Sequence, residues 1–203
     1  MIKSDREYRN FELMQQTEEN KYIAEGYAST FEPYVLMQID GEDFSERIEP
    51  HAFDDADMSD VVFLLDHTGR VYARTKNNTI KLDVDEHGLH TITDLSKTEA
   101  ARSVAEDIFV GNYSQMSFAF SVAEDHFDID TRTRVIDRIR KVYDISAVAF
   151  PANPNTEIGV SMRDYFNGEI EAMKEAERLQ REAEELERKR AELIARANAL
   201  GGN

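Results

Sequence analysis

The 203-residue sequence contains no cysteine. This absence excludes disulfide bonds, thiol nucleophiles and cysteine-bound zinc, and it fits a reducing compartment. The sequence also lacks an apolar run of the roughly 18 residues that a membrane-spanning helix needs, so we expect no such helix. No charged-then-apolar leader stands at the N-terminus, and we therefore expect no signal peptide.

Basic residues are scarce relative to acidic ones. The sequence has 24 lysines and arginines against 41 aspartates and glutamates, which gives a formal net charge of −17. Phosphate backbones and anionic lipid surfaces repel such a chain. We therefore expect neither nucleic acid nor a membrane surface among its partners. Hydrophobic residues make up 41% of the chain, which is enough for a core.

Residues 1–160 predict a mainly β domain. Patterns of alternating hydrophobicity bounded by turn residues predict strands at 8–13, 22–31, 71–74, 79–84 and 89–95. The continuous apolar segment VVFLLDH, residues 61–67, predicts a buried strand. Residues 133–150 predict a long β-rich segment. PANPN at 151–155 predicts its end, because proline and asparagine favour turns.

Two segments of this domain depart from the strand pattern. Residues 32–59 are acidic and carry Pro33, Gly41 and Pro50, so they predict a long loop with at most one short helix. Ser96 and Glu99 have the spacing of a capping box. They predict a helix whose buried face would carry Ala100, Val104, Ile108 and Phe109. The expected fold class is α+β: mainly β with flanking helices around a curved or closed β-barrel core.

Residues 161–203 predict a separate helical tail. From 169 to 200 there is no glycine or proline, and leucine recurs every seven residues at positions 179, 186, 193 and 200. Alanine stands three positions before three of these leucines, whereas Arg190 interrupts that row. The heptad pattern favours a coiled-coil-like contact with another helix. A lone, solvated amphipathic helix is the alternative.

The segment NYSQMSFAFSV, residues 112–122, has one bulky face and one bare face as a strand. Met116, Phe118 and Phe120 alternate with Ser117, Ala119 and Ser121, so the two sets point to opposite sides. Either a second layer packs closely on the bare side, or that side is the floor of a cleft with Ser117 exposed in it.

A hydroxyl becomes a nucleophile when a base removes its proton, and histidine does so best near neutral pH. His67 ends the buried strand of residues 61–67, with Gly69 close behind to turn the chain away. It is therefore a candidate general base, although a histidine at a strand end also often caps a carbonyl. The other histidines suit solvated or structural positions; they are His51, His87, His90 and His126.

Five segments, in order, resemble the tailed-bacteriophage prohead serine proteases, which are distantly similar to the herpesvirus assemblins. The segments are GYASTF (26–31), ERIEPHAF (46–53), LLDHTGRVYARTKNNTIKLDVDEHGLH (64–90), YSQMSFAFSV (113–122) and YDISAVAFPANP (143–154). The resemblance covers about residues 20 to 160. It implies an assemblin-like antiparallel barrel core and no cofactor. No His-x-His pair lies in the matched segments, which counts against a metal-dependent hydrolase.

The resemblance also implies roles for individual residues. His67 would be the general base and Ser117 the nucleophile, so the bare strand face would be the peptide cleft. Ser114 is the rival hydroxyl, on the opposite face. Asp144 would orient the imidazole, although assemblins use a second histidine in that role, so His126 stays open. His51 stands where the family pattern leads us to expect glycine, and it receives no role.

The implied function is a prohead endopeptidase that matures capsids. Its substrates would be the scaffolding region of the major capsid protein and the protease itself, inside the assembling procapsid in the host cytoplasm. Self-association into a homo-oligomer is a further possibility. The alternative is a non-catalytic assembly factor that recruits a partner through its helical tail, with Ser117 and His67 merely structural.

Overall fold

The structure is a computed structural model that describes residues 6–12, 17–149 and 157–200. The chain divides into two compact units, Met1–Val160 and Ser161–Asn203. The segment PANPN, for which the sequence predicted an end of regular structure, lies outside the described residues. Among those residues, no helix is both long and apolar enough to span a membrane.

The larger sheet of the first unit contains seven strands. Its main path runs β1 (Glu7–Glu12), β9 (Gln115–Asp128), β10 (Thr133–Val148), β4 (Glu42–Ile48) and β3 (Tyr34–Ile39). Two more strands, β5 (Val62–Leu65) and β6 (Thr68–Arg74), pair with each other, and β5 also pairs with β10. The sequence therefore predicted the mainly β, α+β class correctly.

Strand β10 organises this sheet because it is 16 residues long and has several partners. It pairs antiparallel with β9 along its length, but parallel with β4 near its start and with β5 near its end. The expected antiparallel core is therefore wrong in part, because β10 also has two parallel partners. The described strands form no closed barrel, since the main path ends at β1 and β3, which do not pair with each other.

The smaller sheet contains β2 (Ile23–Thr30), β8 (Gly88–Asp94) and β7 (Ile80–Val84), in that order. A short 3-10 helix at Thr75–Asn77 precedes β7, and helix α1 (Glu99–Phe109) follows β8. The helix is capped by Thr98, whose side chain accepts a hydrogen bond from the Ala101 N–H at 3.1 Å, and not by Ser96. Its buried residues are Ala101, Val104, Ala105 and Ile108.

The segment predicted as a loop, residues 32–59, contains the β3–β4 hairpin. Asp40 and Gly41 form its two-residue turn, with φ angles of 54° and 86°. Positive φ at both positions is the requirement of a type I′ turn, and Asp-Gly is one of its preferred sequences. The loop prediction failed because the prolines and acidic residues outweighed this turn signal.

The predicted bulky face of β9 lies in the hydrophobic core. Met116, Phe118 and Phe120 have no exposed surface, and the rings of Phe118 and Phe120 stack with centroids 4.4 Å apart. A fully buried side chain of this size contributes roughly 1.5–3 kcal/mol. The core therefore holds β9 in the register that turns Ser117 to the opposite face.

The described residues of the second unit all belong to helix α2 (Glu157–Leu200), which begins four residues before that unit. Three of its heptad leucines, Leu179, Leu186 and Leu193, are 52–68% exposed. Ion pairs one turn apart support the helix from within, such as Lys189 to Glu185 at 2.7 Å. The helical tail was thus predicted correctly, whereas its pairing as a coiled coil stays a prediction.

Candidate active site

Ser117 stands on a central strand, and its neighbours across the sheet are also small or polar. Ser117 lies opposite Ser146 in the β9–β10 register, and Ala119 lies opposite Asp144. Directly paired residues share a face of the sheet. The bare face of β9 therefore continues onto β10, where it carries a hydroxyl and a carboxylate.

His67 reaches this face from the turn of the β5–β6 hairpin. Asp66 and His67 form a two-residue turn closed by the Leu65–Thr68 pair, and their φ angles are 45° and 56°. Such angles are uncommon for residues other than glycine, although Asp and His adopt them more readily than most. The turn is also fastened to β10, because the Asp66 N–H donates to the Ala147 carbonyl at 3.1 Å.

The structure brings His67, Ser117 and Asp144 together. His67 Nε2 lies 2.7 Å from Ser117 Oγ, and His67 Nδ1 lies 2.6 Å from Asp144 Oδ1. With the proton on Nδ1, the ring donates to the carboxylate and accepts from the serine hydroxyl. The three groups then form one hydrogen-bonded chain, with the geometry of a serine-hydrolase triad.

The expectation of an exposed Ser117 does not match the structure. Ser117 has no exposed surface, whereas the side chains of His67 and Asp144 are 17% and 5% exposed. Ser117 is flanked on one side by β1 and on the other by β10, and its hydroxyl contacts the imidazole. Ala119, Ser121 and Ser146 on the same face also have no exposed surface, so the bare face is covered in this structure.

The alternative candidates lie elsewhere. His126 is nine positions along β9 from Ser117, which corresponds to about 30 Å at the rise of a strand. It is 58% exposed, and its Nδ1 lies 2.7 Å from Asp137 Oδ2. Ser114 is exposed and precedes β9. The imidazole of His51 is almost entirely exposed, beside Asp54.

Ser146 is a polar member of this face that the sequence did not identify. Its fully buried hydroxyl donates to Asp144 Oδ1 at 2.9 Å and accepts from the His67 backbone N–H at 3.2 Å. The available signal was its place two residues after Asp144, which puts both side chains on one face of a strand.

The pKa of Tyr113 is affected by burial and by the carboxylate of Asp66 in the turn. Burial first, and then the nearby charges of Asp66 and Asp107, raise the pKa of Tyr113 above its ordinary value. Asp66 itself accepts a hydrogen bond from the Ala149 N–H at 3.3 Å. Within the described ranges, no cluster of three or more His, Asp or Glu residues is arranged to hold a metal ion.

The model of the caudovirus prohead serine protease family matches residues 9–171. The chain belongs to this family. The match includes every residue of the His67–Ser117–Asp144 chain and continues into α2. Membership identifies a serine peptidase of phage capsid maturation, which acts on capsid proteins inside the assembling prohead in the host cytoplasm. Neither the curated proteins nor the solved structures contain a match to the chain.

Proposed function

We propose that this prohead protease cleaves the scaffolding region of the major capsid protein through an acyl-enzyme on Ser117. The observation that carries the proposal is the continuous hydrogen-bonded chain from Ser117 Oγ through His67 to Asp144, with distances of 2.7 and 2.6 Å. A nucleophile, a base and an orienting carboxylate are the groups that acyl transfer requires.

In the acylation half, His67 Nε2 takes the proton from Ser117 Oγ while that oxygen attacks the scissile carbonyl carbon. The resulting imidazolium is stabilised by the Asp144 carboxylate at Nδ1, which stays ionised. When the tetrahedral intermediate collapses, the C–N bond breaks and Nε2 gives its proton to the leaving amine.

In the deacylation half, water takes the place of the amine. His67 Nε2 removes a proton from water as it attacks the ester carbonyl. The C–Oγ bond then breaks, the proton returns to Ser117, and the new carboxyl terminus leaves. The same base thus serves both halves of the reaction.

Access to Ser117 is a separate requirement. Because Ser117 has no exposed surface, a peptide reaches Oγ only after the surroundings of the serine open. We therefore place opening before acylation in the catalytic cycle.

Co-expression with the capsid protein tests the nucleophile. Wild type should shorten the capsid protein on a gel, Ser117→Ala should leave it full length, and Ser114→Ala should act like wild type. Ser114 is the matched control because it is the hydroxyl nearest in sequence, but exposed and outside β9. Cleavage by Ser117→Ala together with inactivity of Ser114→Ala would transfer the role to Ser114.

A second test addresses the rival function, a non-catalytic assembly factor. A fluorophosphonate should label the wild-type protein at Ser117 and leave Ser117→Ala unlabelled, because only an activated serine displaces fluoride at useful rates. Mass spectrometry of the same two proteins tests self-cleavage. The wild type should shorten on storage, while Ser117→Ala stays intact. An unlabelled wild type that still supports assembly would favour the assembly factor.

The exposed leucines of α2 support a docking role for the tail. Leu179, Leu186 and Leu193 form a stripe at heptad spacing that the chain leaves open to solvent. Such a stripe fits a helix of the scaffolding segment, or of a second copy of the protease. Alanine at most of the intervening core positions buries little area, so the contact would be weak and reversible.

A truncated chain separates docking from catalysis. A chain ending at residue 171 keeps the family match and the buried Phe166, but it lacks the leucine stripe. It should retain fluorophosphonate labelling and fail to enter proheads. The full-length chain with glutamine at all three leucine positions is the matched control, and it should fail in the same way. Normal incorporation of both proteins would make the tail a solvated helix.

A further inference from the structure

We infer that Ser146 is a positioning residue that fixes the imidazole of His67 from two directions; the inference rests on the proposed function. Its hydroxyl bonds both to the carboxylate that holds the ring and to the backbone of the residue that carries the ring. Neither the family match nor the sequence motifs assign it a role.

The hydrogen-bonding capacity of the Ser146 hydroxyl explains the direction of both bonds. A hydroxyl has one proton and two lone pairs. The His67 N–H can only donate, so Ser146 Oγ accepts there, at 3.2 Å. An ionised carboxylate can only accept, so the proton of Ser146 points to Asp144 Oδ1, at 2.9 Å. The hydroxyl therefore has a fixed orientation.

The hydrogen bond from the His67 backbone N–H to Ser146 stabilises a turn whose backbone conformation is unfavourable. Both residues of the turn, Asp66 and His67, have positive φ without being glycine, and such positions persist only when their surroundings hold them. Three contacts from β10 and the residue after it do so: the Ala147 carbonyl, the Ala149 N–H and the Ser146 hydroxyl. Of these three groups, only the Ser146 hydroxyl belongs to a side chain.

The carboxylate bond sets the geometry of the ring. Asp144 Oδ1 receives the Ser146 proton and the His67 Nδ1 proton, so the hydroxyl fixes the oxygen to which the ring bonds. Nε2 is thereby aimed at Ser117 Oγ, which lies on the strand position directly opposite Ser146. Ser146 acts on the reaction through His67 and Asp144, without touching the substrate.

The test is the rate at which a fluorophosphonate labels Ser117 as a function of pH. Labelling forms the Oγ–P bond, breaks the P–F bond and passes the serine proton to His67, so it reports the base without knowledge of the cleavage site. Ser146→Ala should lower the rate about ten- to a hundredfold, the range for partners that orient a metal-bound histidine. It should also move the acid limb of the profile to higher pH, because Asp144 with one donor fewer holds the charged imidazolium more strongly.

Ser121→Ala is the matched control. Ser121 is equally buried on β9, and its hydroxyl lies 3.3 Å from the Tyr143 hydroxyl rather than in the triad. It should keep the wild-type rate and the wild-type acid limb. If Ser146→Ala does the same while Ser117→Ala is unlabelled, Ser146 is merely structural and the inference is wrong. If wild type and Ser117→Ala are labelled equally, the proposed function itself fails.

A third variant covers the case in which Ser146→Ala does not fold. Ser146→Cys keeps a group of similar size with a weaker donor, and the chain has no other cysteine to confuse the result. Its rate should fall and its acid limb should shift in the same directions as for Ser146→Ala, by smaller amounts. A wild-type profile in this folded variant overturns the inference.

Discussion

The larger sheet has buried polar groups on both of its faces, and the two sets contain different kinds of residue. On one face, Ser117 joins His67 and Asp144 in a chain with one carboxylate and one titratable ring. On the other face, Arg9 lies opposite Phe118 and forms ion pairs with the fully buried Glu46. The first set contains a histidine, a residue type that exchanges a proton near neutral pH, whereas the second contains arginines whose pKa is raised above the ordinary value.

Glu46 contacts two arginines and a tyrosine. Its carboxylate accepts from Arg9 Nη2 at 2.6 Å and from Arg134 Nη1 at 3.1 Å, and it is also bonded to the Tyr34 hydroxyl. Burial, the largest single influence, lowers the pKa of Arg9, but the charges of Glu46, Tyr34 and Glu7 and the hydrogen bond to Glu46 together outweigh it and raise that pKa well above the ordinary value. Burial and the charge of Glu46 likewise raise the pKa of Tyr34. The comparison predicts lost activity on one face and lost stability on the other.

The largest effect should come from breaking the reactive face. His67→Ala and Ser117→Ala should each reduce peptidase activity by roughly a millionfold, and the double variant should be no worse, because the two groups act as one unit. The free energy of unfolding of Ser117→Ala should stay within about 1 kcal/mol of wild type, since one hydrogen bond is lost. Single-turnover cleavage and urea unfolding measure the two quantities. Additive losses of activity would separate the roles of the two residues.

Removing the orienting charge should have a smaller effect on the same face. Asp144→Asn should lower kcat by roughly 10⁴-fold yet leave measurable activity, because the amide keeps the shape but favours the wrong ring tautomer. The variant should stay folded, which circular dichroism checks. Full activity of Asp144→Asn would remove Asp144 from the mechanism.

Breaking the ion pairs of Glu46 with Arg9 and Arg134 should instead lower stability and leave the activity of the folded protein unchanged. Glu46→Gln keeps the size of the side chain but leaves two buried guanidinium groups short of a countercharge, so the variant should lose about 3–5 kcal/mol of stability. The fraction that remains folded should label with fluorophosphonate at the wild-type rate. Urea unfolding measures the loss of stability, and fluorophosphonate labelling at urea concentrations below the unfolding transition measures the rate.

Glu49→Gln is the control for that comparison. Glu49 pairs with Arg47 at 2.5 Å, but both side chains are more than one-third exposed. Its loss should change stability by at most about 1 kcal/mol. An equal effect of the two glutamine variants would mean that burial does not decide the strength of these pairs.

The sequence predicted most strands because their hydrophobic patterns were local. It failed for the β3–β4 hairpin, although Asp40-Gly41 is a strong turn signal. The turn at Asp66-His67 also has positive φ at both positions, but it contains no glycine, so the local sequence does not predict it. Its conformation depends on hydrogen bonds to Ser146 in β10 and to Ala149 just after it, which stand about eighty positions later in the chain.

In the candidate site too, residues within recognisable motifs were predicted, whereas contacts between strands distant in sequence were not. Ser117 and His67 were assigned from motifs that resemble the family, and Asp144 was left in competition with His126. The pairing of β10 with both β9 and β5 brings Asp144 beside the histidine, and a pattern of hydrophobicity does not reveal such pairing. Buried charges such as Arg9 and Glu46 were missed for the same reason, because their partnership spans 37 positions.

The smallest effect should come from the surface pair that resembles the reactive one. His126 lies 2.7 Å from Asp137, and this hydrogen bond, opposed by slight burial, raises the pKa of His126 above its ordinary 6.5. A raised pKa means that the charged form is favoured by folding, so the stabilisation is present below pH 6.5 and is lost as pH rises through the higher folded value. Because the ring is mostly exposed, His126→Asn should cost less than about 1 kcal/mol at pH 6 and nothing at pH 9, as urea unfolding at the two pH values would show. Peptidase activity should be unchanged, since a histidine–carboxylate pair without a serine within reach has no proton to accept from a nucleophile. An inactive, folded His126→Asn would instead place His126 in the mechanism and restore the assemblin-like arrangement with two histidines.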